Sequence, residues 1–182
     1  MSQLTTDRLE LVPATLELCL AELGGRDEVA RLLDARIPPS WPPPVFEPDD
    51  LERLRRSLEA NPETGGWTLH YVLLREQHGS RALVGVAGYA GPPSTEGTIE
   101  IGYAIAEEHQ RHGYATEAVE ALVVHAFADT RVDLVAATTY ATLTPSIGVL
   151  IKAGFSHVDS DPETGLVRFE RRRQAHVHRK RL

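Results

Sequence analysis

The sequence is poor in several residue types, and each absence excludes a class of protein. Its 182 residues contain one cysteine, Cys19, so an intrachain disulfide, a thiolate metal cluster and a redox pair are all excluded. Cys19 lies in an apolar stretch and is expected to be a small buried hydrophobe. No apolar run approaches the length that spans a bilayer, and the first residues show no basic and apolar leader pattern. We therefore expect a cytoplasmic protein without a membrane partner.

Charge and length set the next bounds. There are 19 basic and 26 acidic side chains, a formal net charge of -7, which argues against broad nucleic-acid binding and is compatible with a cationic amine substrate. With 42% hydrophobic residues, the chain is expected to form a single domain over residues 1–173, followed by a solvated basic tail, residues 174–182. The tail's His176 and His178 have no carboxylate or cysteine nearby, so no metal site is expected.

Hydrophobic periodicity predicts alternating strands and helices. The predicted strands are residues 8–12, 67–74, 82–90, 98–105, 135–140 and 167–170, and the predicted helices are one broken or two short helices over 16–33, a helix around 51–58, a helix from 115 and a helix over 145–153. Short turns between the second, third and fourth strands predict an antiparallel meander. The proline-rich segment 37–44 must be a stiff loop. Its Trp41 could close over a substrate or cap the edge of the core, and both alternatives stay open.

The segment that joins the strand 98–105 to the next helix is a short polar loop with one glycine. Such a loop leaves the first N–H groups of the helix without intrahelical partners, at the positive end of the helix dipole. An anion such as a pyrophosphate can bind there. Gly113 allows a close backbone approach or a positive φ, and Arg111 adds a cation. Three spaced glycines are absent, so a Rossmann dinucleotide site is not expected.

Two motifs in this order resemble those of the GNAT-superfamily N-acetyltransferases, in particular the branch of ribosomal-protein N-terminal (RimJ/RimL-like) acetyltransferases. The first is Gln110-x-x-Gly113-x-Ala115 followed by Thr116-Glu117-Ala118, and the second is the stretch 144–155 with its closing Gly154-Phe155. The resemblance implies an α/β (α+β) GNAT fold. Its mixed, mostly antiparallel central sheet would be flanked by helices and splayed between the fourth and fifth predicted strands, with acetyl-CoA in the cleft.

The resemblance also implies which residues contact acetyl-CoA. Backbone groups of Tyr103, Ala104 and Ile105 would bond the pantetheine amides, as an added half-strand at an unpaired edge would. The pyrophosphate would lie against the loop and the first helical turn, formed by Gln110, Arg111, His112, Gly113, Tyr114, Ala115 and Thr116. The sequence departs from the family at two positions, since Leu150 replaces the usual tyrosine acid and Leu143 a usual asparagine. The branch suggests Ser146 as the substitute donor to the leaving sulfur and as a further contact to the coenzyme.

Acetyl transfer to an amine also requires a proton acceptor. A lysine-like amine has a pKa near ~10.4 and an α-amine one near ~8, and a carboxylate can take that proton directly or through water. Strand alternation places Glu100 on one face with Gly102 and Ala104, and these small neighbours leave space for a ligand. The resemblance implies a catalytic glutamate at this place. The alternative is a solvent-facing glutamate in a cross-strand ion pair.

The sequence therefore predicts an N-acetyltransferase that moves an acetyl group from acetyl-CoA to a primary amine by direct ternary-complex transfer. No cysteine lies near the motifs to serve as a nucleophile. The acceptor is a small molecule or a protein N-terminal α-amine, with Trp41 and Glu100 as the predicted contacts to it. The alternative function, motivated by the missing tyrosine and asparagine, is a non-catalytic acyl-CoA-binding sensor or interaction module. Whether the chain forms a homodimer is left open.

Overall fold

A computed structural model describes residues 4–43, 48–60 and 66–174, so residues 175–182 of the predicted tail lie outside the described residues. The strands in these ranges are β1 (Leu4–Thr5), β2 (Leu9–Pro13), β3 (Leu69–Arg75), β4 (Arg81–Tyr89), β5 (Thr98–Ile105), β6 (Leu134–Tyr140), β7 (Ser156–Asp161) and β8 (Leu166–Arg172). The α-helices are α1 (Leu16–Gly24), α2 (Arg26–Leu33), α3 (Pro48–Ala60), α4 (Tyr114–Ala128) and α5 (Thr144–Lys152).

The strands form one open sheet in the order β1-β2-β3-β4-β5-β6-β8-β7. Neighbouring strands run antiparallel, except β5 and β6, which are parallel. The predicted meander is confirmed as β3, β4 and β5, and so is the mixed, mostly antiparallel sheet with flanking helices. Two strands were not predicted: β1, which has two residues, and β7, whose six residues are all exposed.

Helices cover the two faces of the sheet unequally. One face packs against α4 and α5 in a core that draws residues from both ends of the sheet, including Leu11, Ile99, Val135 and Phe169. The other face packs against α1, α2 and α3, in a core whose sheet residues include Tyr71, Leu73, Leu83, Val86 and Ala104. Among the described residues, this second core contains none from β6, β7 or β8. These three helices therefore leave the β6–β8–β7 end of their face uncovered.

Alternation along β5 decides which side chains enter each core. Ile99 and Ile101 belong to the α4–α5 core, and Ala104 to the core of α1, α2 and α3. Because successive side chains on a strand point to opposite faces, Glu100 and Gly102 share the face of Ala104. Glu100 thus lies on the side of the sheet where the helical cover ends.

Within the described residues, no helix combines the length and apolar character needed to cross a membrane.

Candidate active site

The sheet opens between β5 and β6. These strands pair over three residues each, Thr98–Glu100 with Leu134–Ala136, whereas β5 stays paired with β4 as far as Ile105. Beyond Glu100 the described part of the chain supplies no strand next to that edge of β5. The predicted splay between the fourth and fifth predicted strands is therefore confirmed, and it lies between β5 and β6.

The backbone of β5 presents polar groups to this cleft. The carbonyl of Glu100 accepts from the N–H of Ala90 at 3.0 Å, and the N–H of Ala106 donates to the carbonyl of Val84 at 2.9 Å. The backbone N–H and C=O groups of the even-numbered residues of β5 thus point toward β4. Those of the odd-numbered residues point the other way, so the N–H groups of Tyr103 and Ile105 face the cleft.

The backbone of Ala104 points to the other side of β5. Its carbonyl faces β4, where a Cβ added to Gly85 would lie 2.3 Å from it. The contact of Ala104 with pantetheine stays a prediction. Of the three predicted backbone contacts, those of Tyr103 and Ile105 face the cleft.

The loop after β5 has the backbone shape of an anion site. Arg111 has φ 64° and Gly113 has φ 83°, with His112 between them outside the left-handed region. Alternation of this kind turns successive N–H groups toward one point and forms a concavity that binds anions. A left-handed non-glycine residue such as Arg111 costs roughly 1–3 kcal/mol, so the surrounding contacts must hold the loop in this shape.

Two hydrogen bonds within the loop contribute to this shape. The Gln110 side chain donates from Nε2 to the carbonyl of Ile105 at 3.0 Å, and the His112 Nδ1 lies 2.7 Å from the carbonyl oxygen of Gln110. The helix α4 then begins after Gly113 without a side-chain cap, so the N–H groups of its first turn, including those of Ala115 and Thr116, receive no side-chain partner there. An exposed concavity beside an uncapped helix N-terminus fits a pyrophosphate.

The Glu100 carboxylate lies where β5 and β6 diverge. The side chain is exposed and accepts a hydrogen bond from the Thr138 hydroxyl at 3.0 Å. Thr138 stands two residues beyond Ala136, the last β6 residue paired with β5. Among the described residues Glu100 has no ion-pair partner, so the cross-strand partner is a neutral hydroxyl rather than the cation of the alternative interpretation. A carboxylate bonded in this way remains free to accept a further proton donor.

Tyr103 and Ser146 form a second polar group, on the other face of β5. The Tyr103 hydroxyl donates to the Ser146 carbonyl at 2.9 Å and lies 3.0 Å from the Ser146 hydroxyl oxygen. Burial raises the pKa of Tyr103, and the hydrogen bond to Ser146 offsets part of this effect. The phenol is therefore a neutral donor at physiological pH. Leu150, at the family's usual tyrosine position, is fully buried and brings no donor to this place.

Trp41 lies in the core of α1, α2 and α3. Its side chain is buried, its ring centroid is 6.2 Å from that of Tyr71, and its indole N–H donates to the carboxylate of Glu22 at 3.2 Å. The neighbouring Ser40 bonds the Glu108 side chain, which attaches this loop to the segment after β5. Of the two roles left open by the sequence, burial favours the core contact, and contact with an acceptor stays a prediction.

The described residues contain no group of three or more histidine, cysteine, aspartate or glutamate side chains arranged to hold a metal ion.

Comparison with known proteins identifies this architecture. Residues 8–156 match the family model described as Acetyltransferase (GNAT) domain. The uncharacterized N-acetyltransferase YjdG of Bacillus subtilis (strain 168) is 28% identical over 123 residues, which cover 68% of this chain and 71% of that protein.

Several solved structures share the fold. RimL, a ribosomal L7/L12 α-N-protein acetyltransferase in complex with coenzyme A, superposes with a TM-score of 0.65 at 14% identity, covering 94% of this chain and 98% of that one. An acetyltransferase from Agrobacterium tumefaciens str. C58 gives 0.65 at 19% identity, with 95% of each chain covered. The microcin C7 self-immunity acetyltransferase MccE, in complex with acetyl-CoA and AMP, gives 0.59 at 15% identity, covering 92% of this chain and 93% of that one.

Proposed function

Because the chain belongs to the acetyltransferase (GNAT) family and is an acetyltransferase, we propose that it moves the acetyl group of acetyl-CoA directly to a primary amine of a small molecule or a protein N-terminus. The observation that carries this proposal is the position of Glu100, a carboxylate beside the cleft between β5 and β6 with space on its own face. RimL with coenzyme A and MccE with acetyl-CoA support acetyl-CoA as the co-substrate.

The cleft and the loop would hold the two ends of acetyl-CoA. The N–H groups of Tyr103 and Ile105 can bond the pantetheine amides, because they face the open edge of β5. The concavity of residues 110–113 and the first turn of α4 suit the pyrophosphate, where backbone N–H groups and the helix dipole favour negative charge. These residues supply binding and orientation, and the thioester itself supplies the acetyl group.

Glu100 acts in this proposal as the general base. It accepts a proton from the amine, directly or through water, while the nitrogen bonds to the thioester carbonyl carbon and the carbon–sulfur bond breaks. Thr138 holds one carboxylate oxygen at 3.0 Å, which fixes the orientation of the base. Gly102, next on the same face, has nothing within 4 Å of an added Cβ, so an acceptor has room beside Glu100.

Ser146 acts as the donor to the departing sulfur. Its hydroxyl lies 3.0 Å from that of Tyr103, so Ser146 can accept a hydrogen bond from the phenol while it donates its own to the sulfur, which leaves as a thiolate. A thiol pKa of about 8.5 makes the thiolate a tolerable leaving group, so one neutral donor is adequate. Glu100 and Tyr103 project from opposite faces of β5. The amine is therefore deprotonated on one side of the sheet, and the sulfur leaves on the other.

Substitution of Glu100 by glutamine tests the proposal. We expect Glu100→Gln to lower kcat about a hundredfold or more, the usual effect of losing a general base, while coenzyme A affinity measured by calorimetry stays close to that of the wild type. The assay is thiol release against a panel of amines and N-terminal peptides. Glu96→Gln is the matched control, because Glu96 is exposed in the turn before β5 and should leave both quantities unchanged.

Two results would contradict the proposal. An unchanged rate in Glu100→Gln would remove this carboxylate from the mechanism. Coenzyme A binding by the wild type without thiol release on any acceptor would favour the non-catalytic sensor.

A further inference from the structure

The segment between β1 and β2 lies directly against the loop of residues 110–113 and the first turn of α4. Its contacts converge on one carboxylate, that of Glu117, which lies on α4 four residues after Gly113. Glu117 accepts hydrogen bonds from the Thr6 hydroxyl, from the backbone N–H of Arg8 at 3.0 Å and from the Arg8 Nε at 2.7 Å. The Arg8 Nη2 completes an ion pair at 2.6 Å. Thr6 also accepts from the N–H of Leu9 at 2.9 Å, which connects the cluster to β2.

The same guanidinium reaches the loop itself. The Arg8 Nη1 donates to the carbonyl of His112 at 3.0 Å, and the guanidinium carbon lies 4.8 Å from the centroid of the Tyr114 ring. The Tyr114 ring is stacked on that of His112, with centroids 5.5 Å apart and planes 13° apart. One arginine therefore contacts the loop on both sides of Gly113.

The bond to His112 sets the direction of a backbone amide. In a trans peptide the C=O and the following N–H point in opposite directions. When Arg8 holds the His112 carbonyl, the N–H of Gly113 is directed away from Arg8. The guanidinium therefore orients the N–H of Gly113, a donor of the concavity, from the side opposite to the anion. It does not itself supply the charge that faces the anion.

Glu117 would be unfavourable in this place if its charge were not compensated. A carboxylate in the first turn of a helix interacts favourably with the helix dipole but repels a bound phosphate. Burial by itself raises the pKa of Glu117, but hydrogen bonds from Thr6 and Arg8 outweigh it and hold the pKa below its usual value. The carboxylate therefore stays charged, and its charge is neutralised by Arg8. Its position is explained if it serves to anchor Arg8.

We propose that Thr6, Arg8 and Glu117 form a positioning clamp that holds residues 110–113 in the conformation that binds the diphosphate of coenzyme A. Arg8 and Glu117 are positioning residues here, and the inference rests on the proposed use of acetyl-CoA. The clamp acts on the diphosphate end of the co-substrate and leaves Glu100 and Ser146 undisturbed.

The charge of Glu117 gives a test that separates positioning from simple attraction. If only charge mattered, removing a carboxylate near an anion site would strengthen coenzyme A binding. The clamp predicts the opposite: Glu117→Ala and Arg8→Ala should each weaken coenzyme A binding about tenfold, as expected when charge-assisted hydrogen bonds are lost. Because both variants break the same clamp, the double variant should bind no more than about twofold more weakly than either single variant.

The measurements are calorimetric titration with coenzyme A and turnover of S-acetylpantetheine, a thioester without the diphosphate. We expect the clamp variants to lose coenzyme A affinity and to keep the wild-type rate with S-acetylpantetheine, which a general loss of folding would not allow. Arg31→Ala is the control, since it removes an exposed ion pair with Glu28 on α2 and should change neither quantity. If Glu117→Ala fails to fold, Thr6→Ala removes one donor to the carboxylate and should still weaken coenzyme A binding.

The outcomes distinguish the clamp from the function on which it rests. A wild-type protein that does not bind coenzyme A would overturn the proposed function. A wild type that binds it, with Glu117→Ala binding equally well or more tightly, would overturn the clamp alone. Equal losses with coenzyme A and S-acetylpantetheine would also overturn the clamp, because the effect would then not depend on the diphosphate.

Discussion

A fall in pH from 7 to 4 should destabilise this protein through one buried histidine on β3. His70 is 2% exposed, and its Nδ1 has no hydrogen-bond partner among the described residues. Burial, aided by the nearby His125, lowers the pKa of His70 from its ordinary value of 6.5 to about 4. The ring is therefore neutral in the folded protein over most of the acidic range.

The sign of the effect follows from comparing the two states. Between pH 6.5 and about 4 the unfolded chain takes up a proton at His70, whereas the folded chain does not, so the free energy of unfolding falls as the pH falls through this window. A pKa lowered from 6.5 to about 4 corresponds to roughly 3 kcal/mol. This loss is roughly a fifth to three fifths of the 5–15 kcal/mol that typically stabilises a domain.

Replacing the ring by an apolar side chain should remove this dependence. Between pH 7 and 4, we expect the free energy of unfolding of His70→Leu to fall by roughly 3 kcal/mol less than that of the wild type. The measurement is urea unfolding at a series of pH values. His78→Asn is the control, because His78 is exposed and has φ 61°, a conformation that asparagine tolerates. Parallel pH profiles for wild type and His70→Leu would refute the reasoning.

Further predictions concern the cleft. Tyr103→Phe removes the hydroxyl that bonds Ser146 and should lower single-turnover thiol release about tenfold without changing coenzyme A affinity; an unchanged rate would exclude a role for the phenol. Gly85→Ala places a Cβ 2.3 Å from a backbone oxygen of β5, so it should cost about 1–3 kcal/mol of stability in urea unfolding and weaken acetyl-CoA binding. Gly102→Ala adds a Cβ to open space; it should retain wild-type stability and raise the KM of the acceptor amine, and an unchanged KM would argue that the acceptor lies elsewhere.

The parts of the fold that could be predicted are those with a local pattern. The bounds of β5 agree with its prediction because β-branched and aromatic residues fill it, and Gly24-Gly25 correctly marked the break between α1 and α2. The strand β7 could not be predicted, since all six of its residues are exposed and no apolar alternation marks it. Its pairing with β8 is set by tertiary structure rather than by its own residues.

The same distinction applies to the candidate site. Alternation predicts the face on which Glu100 lies, but its contact with Thr138 depends on the parallel register of β5 and β6. The direction of the Ala104 backbone depends likewise on which edge of β5 pairs with β4. Arg8 is 109 positions from Glu117 in sequence, and no local spacing could connect them. Only a folded chain brings these groups together.

The three-residue ladder between β5 and β6 also bears on amide hydrogen exchange. In most sheets the central strands exchange slowest, because their amides are paired on both sides and open only with the whole domain. Here the N–H groups of Tyr103 and Ile105 lie on the fifth of eight strands in the sheet order and still face an open cleft. They should exchange as fast as those of an edge strand in the free protein and become protected when a ligand bonds to them. The amides whose hydrogen exchange should change most when a ligand binds therefore lie near the centre of the sheet.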